Sequence, residues 1–272
     1  GIINVTLPDV AFTVNQIFPF QFRKDIVKPL WYEKIGASYQ FNGLNRISFN
    51  DSSLTAKTFQ LRNFQNGFRH SIPINAAYNV LKYINASVGV TYNEYWYTKK
   101  EFRQYNFSEA RIDTARQVGF FTARDFNTNA SFSTRIYGIK LFKKGVIRGI
   151  RHVLTPSVNF RYQPDFGGGI ANYYYNSFVD SNYSINRYSF FDGALLGPPD
   201  GRFGGLGFNI GNTFQLKVRN RKDTTGTLRK INLIDGFDIG SAYNMVVDSF
   251  RWSAVSVRYR TNLLENINIS GS

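Results

Sequence analysis

Apolar and polar residues alternate one for one along most of this chain. Ile35, Ala37, Tyr39 and Phe41 alternate with Gly36, Ser38, Gln40 and Asn42, and Ala86, Val88, Val90 and Tyr92 with Ser87, Gly89, Thr91 and Asn93. The pattern returns at Ala130, Phe132, Thr134 and Ile136 against Asn129, Ser131, Ser133 and Arg135, and at Val158, Phe160 and Tyr162 against Ser157, Asn159 and Arg161. It returns again between Leu206 and Arg219, and at Val255, Val257 and Tyr259 against Ser256, Arg258 and Arg260. Successive side chains of an extended strand point to opposite faces, so period two predicts strands with one apolar and one polar face. A 3.6-residue period is almost absent. Roughly ten to twelve strands of about nine to fifteen residues are expected, a length that suits tilted spans of a bilayer.

The predicted connections are uneven. Leu81 to Ile84 and Leu263 to Asn266 read as short turns, whereas 51–67, 98–114 and 164–203 read as long polar loops, the last an irregular surface loop containing "DFGGG" and "NYYYNSF". Short turns on one rim and long loops on the other characterise outer-membrane barrels. Basic residues cluster at Lys140, Lys143, Lys144, Arg148 and Arg151, and at Arg219, Arg221, Lys222, Arg229 and Lys230, which places them at strand ends and turns. One domain covering 1–272 is the simplest organisation. The chain opens at Gly1 and stops in mid-strand at "INISGS", so a wall segment incomplete at both ends is expected.

Two architectures fit alternating strands and assign the faces oppositely. A soluble sandwich buries its apolar faces between sheets; a membrane barrel turns them to lipid and encloses the polar ones. Composition favours the barrel: 17 Tyr, 26 Phe and 3 Trp in 272 residues supply material for interfacial girdles, for which Trp31, Tyr32, Tyr95, Trp96, Tyr97 and Trp252 are candidates. The fold class expected is all-β, an antiparallel transmembrane β-barrel forming part of a larger wall. A net charge of +15 calls for an anionic counterpart. The cations are dispersed over many strands rather than set beside a stacking platform, which argues against nucleic acid.

Candidate chemistry is sparse. With no cysteine and only His70 and His152, thiolate nucleophiles are excluded and no metal or cofactor site is expected. Arg69-His70 and Arg151-His152 each precede a proline, Pro73 and Pro156. No Gly-x-Ser-x-Gly elbow, HExxH or paired carboxylate accompanies them, so they read as turn motifs that organise strand starts, and the protein as no enzyme.

The succession "LPDVAFTVNQIFPF" (7–20), "KPLWYEKIGASY" (28–39), "NGFRHSIPI" (66–74), "STRIYGIKLF" (133–142), "IRHVLTPSVNFRYQPDF" (150–166) and "SAYNMVVDS" (241–249) resembles the LptD family of outer-membrane lipopolysaccharide-assembly proteins, in the form found in Bacteroidota-like bacteria. The resemblance implies a cell-outer-membrane translocon of a Gram-negative bacterium that releases lipopolysaccharide into the outer leaflet through a barrel with a lateral gate. It also implies an LptE-like lipoprotein plug, outer-membrane lipid around the wall, and an LptA-like periplasmic bridge reached through a jellyroll domain that this chain lacks. The cysteines that tie jellyroll to barrel in other members are missing here. On this reading Arg135, Arg161, Lys217, Arg219, Arg258 and Arg260 are candidates for the polyanionic head group, by charge-assisted bonds, or for the lining of a wet lumen. Pro8 and Pro19, flanking the first strand-like segment, are candidates for a weakly paired gate edge, since proline donates nothing to a ladder. A porin or nutrient receptor shares every compositional feature, and a soluble basic β-sandwich adhesin or glycan-binding module shares the alternation.

Overall fold

The computed structural model describes residues 1–23, 28–50, 63–219, 228–263 and 267–272. Its strands are β1 (Ile2–Ile17), β2 (Ile35–Asn50), β3 (Gln65–Val80), β4 (Ile84–Asn106), β5 (Arg111–Thr134), β6 (Ile136–Leu141) and β7 (Ile147–Gln163). They continue with β8 (Tyr174–Phe178), β9 (Ile185–Ser189), β10 (Phe203–Arg219), β11 (Leu228–Asn244), β12 (Ser256–Leu263) and β13 (Ile267–Gly271). Eleven of them form one sheet in the order β1-β2-β3-β4-β5-β7-β10-β11-β12-β13, with β6 beside β7; β8 and β9 make a separate hairpin. The neighbours run antiparallel, as meanders joined by hairpins must.

Several expectations need correcting. The principal strands are longer than foreseen, reaching 23 residues in β4 and 24 in β5. Residues 98–114 are no loop but the far end of that hairpin, because the ladder bonds between two strands need no apolar face to persist. Asn106 closes its tip by accepting from the Ser108 amide at 3.0 Å. The 164–203 segment is not irregular: it carries β8 and β9 and buries Phe166, Tyr188 and Phe191. Residues 51–62 of one predicted loop, residues 264–266 of the predicted turn at 263–266, and Arg221 and Lys222 lie outside the described residues.

The chain divides into two compact units, one of Gly1–Ala76, Gly89–Thr128 and Tyr162–Phe203, the other of Ala77–Val88, Asn129–Arg161 and Gly204–Ser272. In the first, β1 is the end strand, and its pairing with β2 sets Val10, Phe12 and Val14 beside Gly43, Phe41 and Tyr39 on the apolar face. The core of this unit lies on the opposite, polar face. There Tyr95, Tyr97 and Ala123 are buried beneath Phe191 of the 164–203 segment, with Tyr173, Phe190 and Leu196 packed around them. Tyr95 and Tyr97 are therefore not girdle residues, whereas Trp96, one residue out of phase with both, joins the apolar face.

The second unit keeps the two faces of its strands distinct. Leu206, Phe208, Ile210 and Phe214 alternate with Gly207, Asn209, Gly211 and Gln215 along β10. Its β3–β4 connection is a two-residue turn in which Leu81 and Lys82 both hold positive φ, 51° and 67°, and the Tyr83 amide donates to the Val80 carbonyl at 3.2 Å. This type I′ geometry matches the strand twist, at some steric expense for side chains other than Gly or Asn. In β6 the alternation reverses. Ile139 pairs with Arg151 and Leu141 with Gly149, so the greasy side chains share the polar face, while Lys140 turns with Ile150 to the other.

Candidate functional site

In the second unit, cations gather on one face of three neighbouring strands. Lys217 of β10 stands directly opposite Lys230 of β11. Arg258 of β12 stands opposite Asp238, and Arg260 opposite Gly236. Asp238 in turn pairs with Gly211, which shares the phase of Lys217, so these cations occupy the polar face together. Two register slips in β11, opposite Asn212 to Gln215, bend the strand, as bulges do. Among the described residues β11 and β12 pair from Gly236 to Gly240 with Ser256 to Arg260. The Thr261 hydroxyl donates to the Leu233 carbonyl and the Asn262 amide to the Asp235 carboxylate, each at 2.7 Å. Between the strands lies a cavity of about 560 Å³ whose lining includes Lys230, Asn232, Asp235, Arg260, Asn262 and Asn268. Ammonium, guanidinium and carboxamide groups together donate to phosphate and hydroxyl oxygens and accept from hydroxyls.

No ion pair between described residues involves Lys217, Lys230, Arg258 or Arg260. Of the six predicted cations, Arg260 lines this cavity and Lys217 flanks it through Lys230. Arg135 occupies the one-residue break between β5 and β6, and Arg161 lies near the end of β7, both exposed. Arg219 ends β10, its amide donating to the Val146 carbonyl at 2.9 Å. Lys230 was legible only as part of a basic run; its place opposite Lys217 depends on the slips in β11, which leave no mark in the alternation.

The two Arg-His motifs sit inside β3 and β7, not at turns, which corrects the reading made from Pro73 and Pro156. A proline is tolerated there because the ladder can lapse locally. Ala37 pairs with Ile74 and Gln40 with Ser71 in one register, with Pro73 in the gap. Each motif straddles the sheet. Arg69 bonds the Asn42 side chain at 3.3 Å, and Arg151 bonds Gln215 at 3.5 Å, both on the polar face. His70 lies on the other face with Nδ1 2.7 Å from the Tyr39 hydroxyl and its ring 4.0 Å from that of Trp96. His152 stacks on Phe214 at 4.2 Å and meets Asn212 Oδ1 at 2.9 Å. Neither imidazole has a serine or carboxylate as a hydrogen-bond partner among the described residues, so no triad assembles.

Pro8 lies within β1 rather than at its start, at a slip of register between Thr6 and Asp9. Pro19 follows β1 in a turn closed by the Gln21 amide on the Phe18 carbonyl at 3.1 Å.

The polar face of the first unit is covered from within the chain. Tyr97 stacks on Phe191 with centroids 3.9 Å apart, and the Glu101 amide donates to the Phe190 carbonyl at 2.9 Å. Glu101 is buried and bonded by Arg116 at 2.9 Å. Within the covering segment Arg187 grips Asp200 through two bonds of 2.7 and 2.8 Å, and that carboxylate raises the guanidinium pKa further above its ordinary value. Bonds from the Ser184 hydroxyl and amide hold the Asp180 carboxyl below its ordinary range.

A long antiparallel sheet of amphipathic strands, apolar on one face and polar on the other, has the make-up of a transmembrane β-barrel wall. The whole chain, residues 1–272, matches the family model described as LptD protein, and the chain belongs to that family. No curated protein and no solved structure matches it. Membership gives the protein a role in lipopolysaccharide transport at the outer membrane of Gram-negative bacteria, the work of a transport and assembly protein rather than an enzyme.

Proposed function

We propose that residues 1–272 form one stretch of the wall of an outer-membrane translocon that inserts lipopolysaccharide into the outer leaflet through a lateral gate. The observation that carries this reading is the set of cations on the polar face of β10 to β12, Lys217, Lys230, Arg258 and Arg260, that form no ion pair among the described residues, in a chain of this family. Lipopolysaccharide presents a polyanionic head and several acyl chains, so its carrier needs a hydrated, cation-bearing conduit beside an exit into lipid. In this account the polar face encloses the conduit, with Arg135, Arg161, Lys217, Arg219, Arg258 and Arg260 facing the head group, and the apolar face meets outer-membrane lipid. An LptE-like lipoprotein fills the lumen, and an LptA-like bridge delivers substrate through a jellyroll domain.

The gate edge is β1, whose ladder with β2 is interrupted at Pro8. Its weakened pairing supports that role, because an edge that opens must give up few hydrogen bonds. Pro19 ends the same strand in a turn. Cysteine pairs that lock the Val5 to Phe12 segment to the last strand of the barrel are expected to stop lipopolysaccharide appearing at the cell surface, with reductant restoring it. Normal export in the locked, oxidised form would defeat the gate.

A further inference from the structure

The reversal of alternation in β6 builds a second site on the polar face of the second unit. Two rows of side chains cross β6, β7, β10 and β11. In one, Leu141 pairs with Gly149 and Lys217 pairs with Lys230. Gly149 joins the two pairs, since a Cβ there would lie 3.0 Å from Leu141 Cδ2 and 3.8 Å from Lys217 Cβ. In the other row Ile139 pairs with Arg151, Arg151 bonds Gln215, and Gln215 donates to Asn232 at 3.0 Å. The result is a trough of about 370 Å³, floored by Gly149, with Tyr137, Ile139 and Leu141 along one side and Arg151, Lys217 and Lys230 along the other. Ile139 and Leu141 remain 64% and 68% exposed, an unusual state for branched aliphatics on a polar face. The like charges of Lys217 and Lys230 stand opposite one another on adjacent strands, an arrangement that repels until an anion lies between them.

We propose that this trough binds a phosphorylated amphiphile, its acyl chain along Ile139 and Leu141 over Gly149 and its phosphate between Lys217 and Lys230. Arg151, drawn over the Tyr137 ring at 5.0 Å, closes the cationic side where chain meets head group. The inference rests on the transport reading only for the exposure of this face to substrate. The ligand is a lipid-like phosphate rather than free phosphate, and the two are separable by whether binding needs the acyl chain.

The test is equilibrium binding to the protein in nanodiscs, with dodecyl phosphate, inorganic phosphate and dodecyl maltoside as probes. Dodecyl phosphate is expected to bind at least tenfold more tightly than either of the others. Lys217→Gln with Lys230→Gln should remove that advantage. Gly149→Leu should weaken dodecyl phosphate about tenfold while leaving inorganic phosphate unchanged; Leu141→Asn serves the same purpose if the glycine variant fails to fold. Equal binding of inorganic phosphate would reduce the trough to an anion site, and equal binding of the maltoside to a greasy patch; either overturns the proposal. So does unaltered dodecyl phosphate affinity in the double lysine variant. Export measured in cells is a separate readout, so loss of the transport reading and loss of this site would be seen independently.

Discussion

In the unit built from Gly1–Ala76, Gly89–Thr128 and Tyr162–Phe203, 16 basic side chains meet 13 acidic ones, a net of +3; in the other unit 17 meet 5, a net of +12. The ion pairs between described residues all fall in the first, among them Arg116–Glu101, Arg103–Asp192 and Arg187–Asp200. Where the 164–203 segment lies over the polar face, water is excluded and a charge must be matched or costs several kcal/mol. Where the polar face stays open, hydration makes unmatched cations tolerable and leaves them free to meet a ligand. The same alternating strands thus support a sealed region and a receptive one, and the covering segment makes the difference.

The contrast is broken most directly at Tyr97, 1% exposed beneath Phe191. Tyr97→Ala should cost about 3–5 kcal/mol, the usual range for emptying an aromatic core position, and should expose Arg187 and Arg202 to trypsin. Tyr97→Phe removes a hydroxyl that has no hydrogen-bond partner among the described residues and should leave the segment protected. Cleavage in both variants, or in neither, would show that the ring stack does not hold the segment. Next comes Glu101→Ala, which strands Arg116; since that arginine is 57% exposed, a loss of about 1–2 kcal/mol is expected in urea unfolding, below the 3–5 kcal/mol of a fully buried pair.

The second unit should respond with the opposite sign. Replacing Leu81-Lys82 by Asn-Gly suits the positive φ of both positions and should stabilise the hairpin by about 1 kcal/mol, read as slower exchange of the Tyr83 amide. Lys217→Gln should stabilise by about 0.2–1 kcal/mol at low salt by relieving the repulsion with Lys230, and the gain should vanish at about 1 M salt as the charges are screened. Destabilisation by Lys217→Gln would mean that the lysine is paired after all.

The smallest effect concerns Arg23 and Glu33. The Arg23 guanidinium, 2.8 Å away through Nε, and the Leu30 amide hold the Glu33 carboxyl below its ordinary pKa. A lowered folded-state value stabilises above the ordinary carboxylate pKa and is lost as pH falls through the lowered one. Hydrogen exchange of the Leu30 amide should therefore stay slow at neutral pH and accelerate only in that acidic window; protection that persists below it would remove the ion pair from the account.

The strand character and the assignment of apolar and polar phases in β2, β4, β7, β10 and β12 were legible in the sequence because alternation is a local property: each side chain's face follows from that of its neighbour two residues away. The family was legible from a different signal, the resemblance carried by the succession of short motifs from 7–20 to 241–249. Four features were not legible. β5 and β4 continue far past their apolar stretches, where pairing alone sustains them. The 164–203 segment looked like an irregular loop because its aromatics acquire a purpose only against Tyr95 and Tyr97. Pro73 and Pro156 suggested turns because a proline's tolerance inside a ladder depends on where the neighbouring strand's bonds fall. The facing of Lys217 and Lys230 required counting through two slips in β11. Each of these depends on register between strands distant in the chain, and register is decided by bulges, hairpin geometry and what covers each face, none of which a two-residue period records.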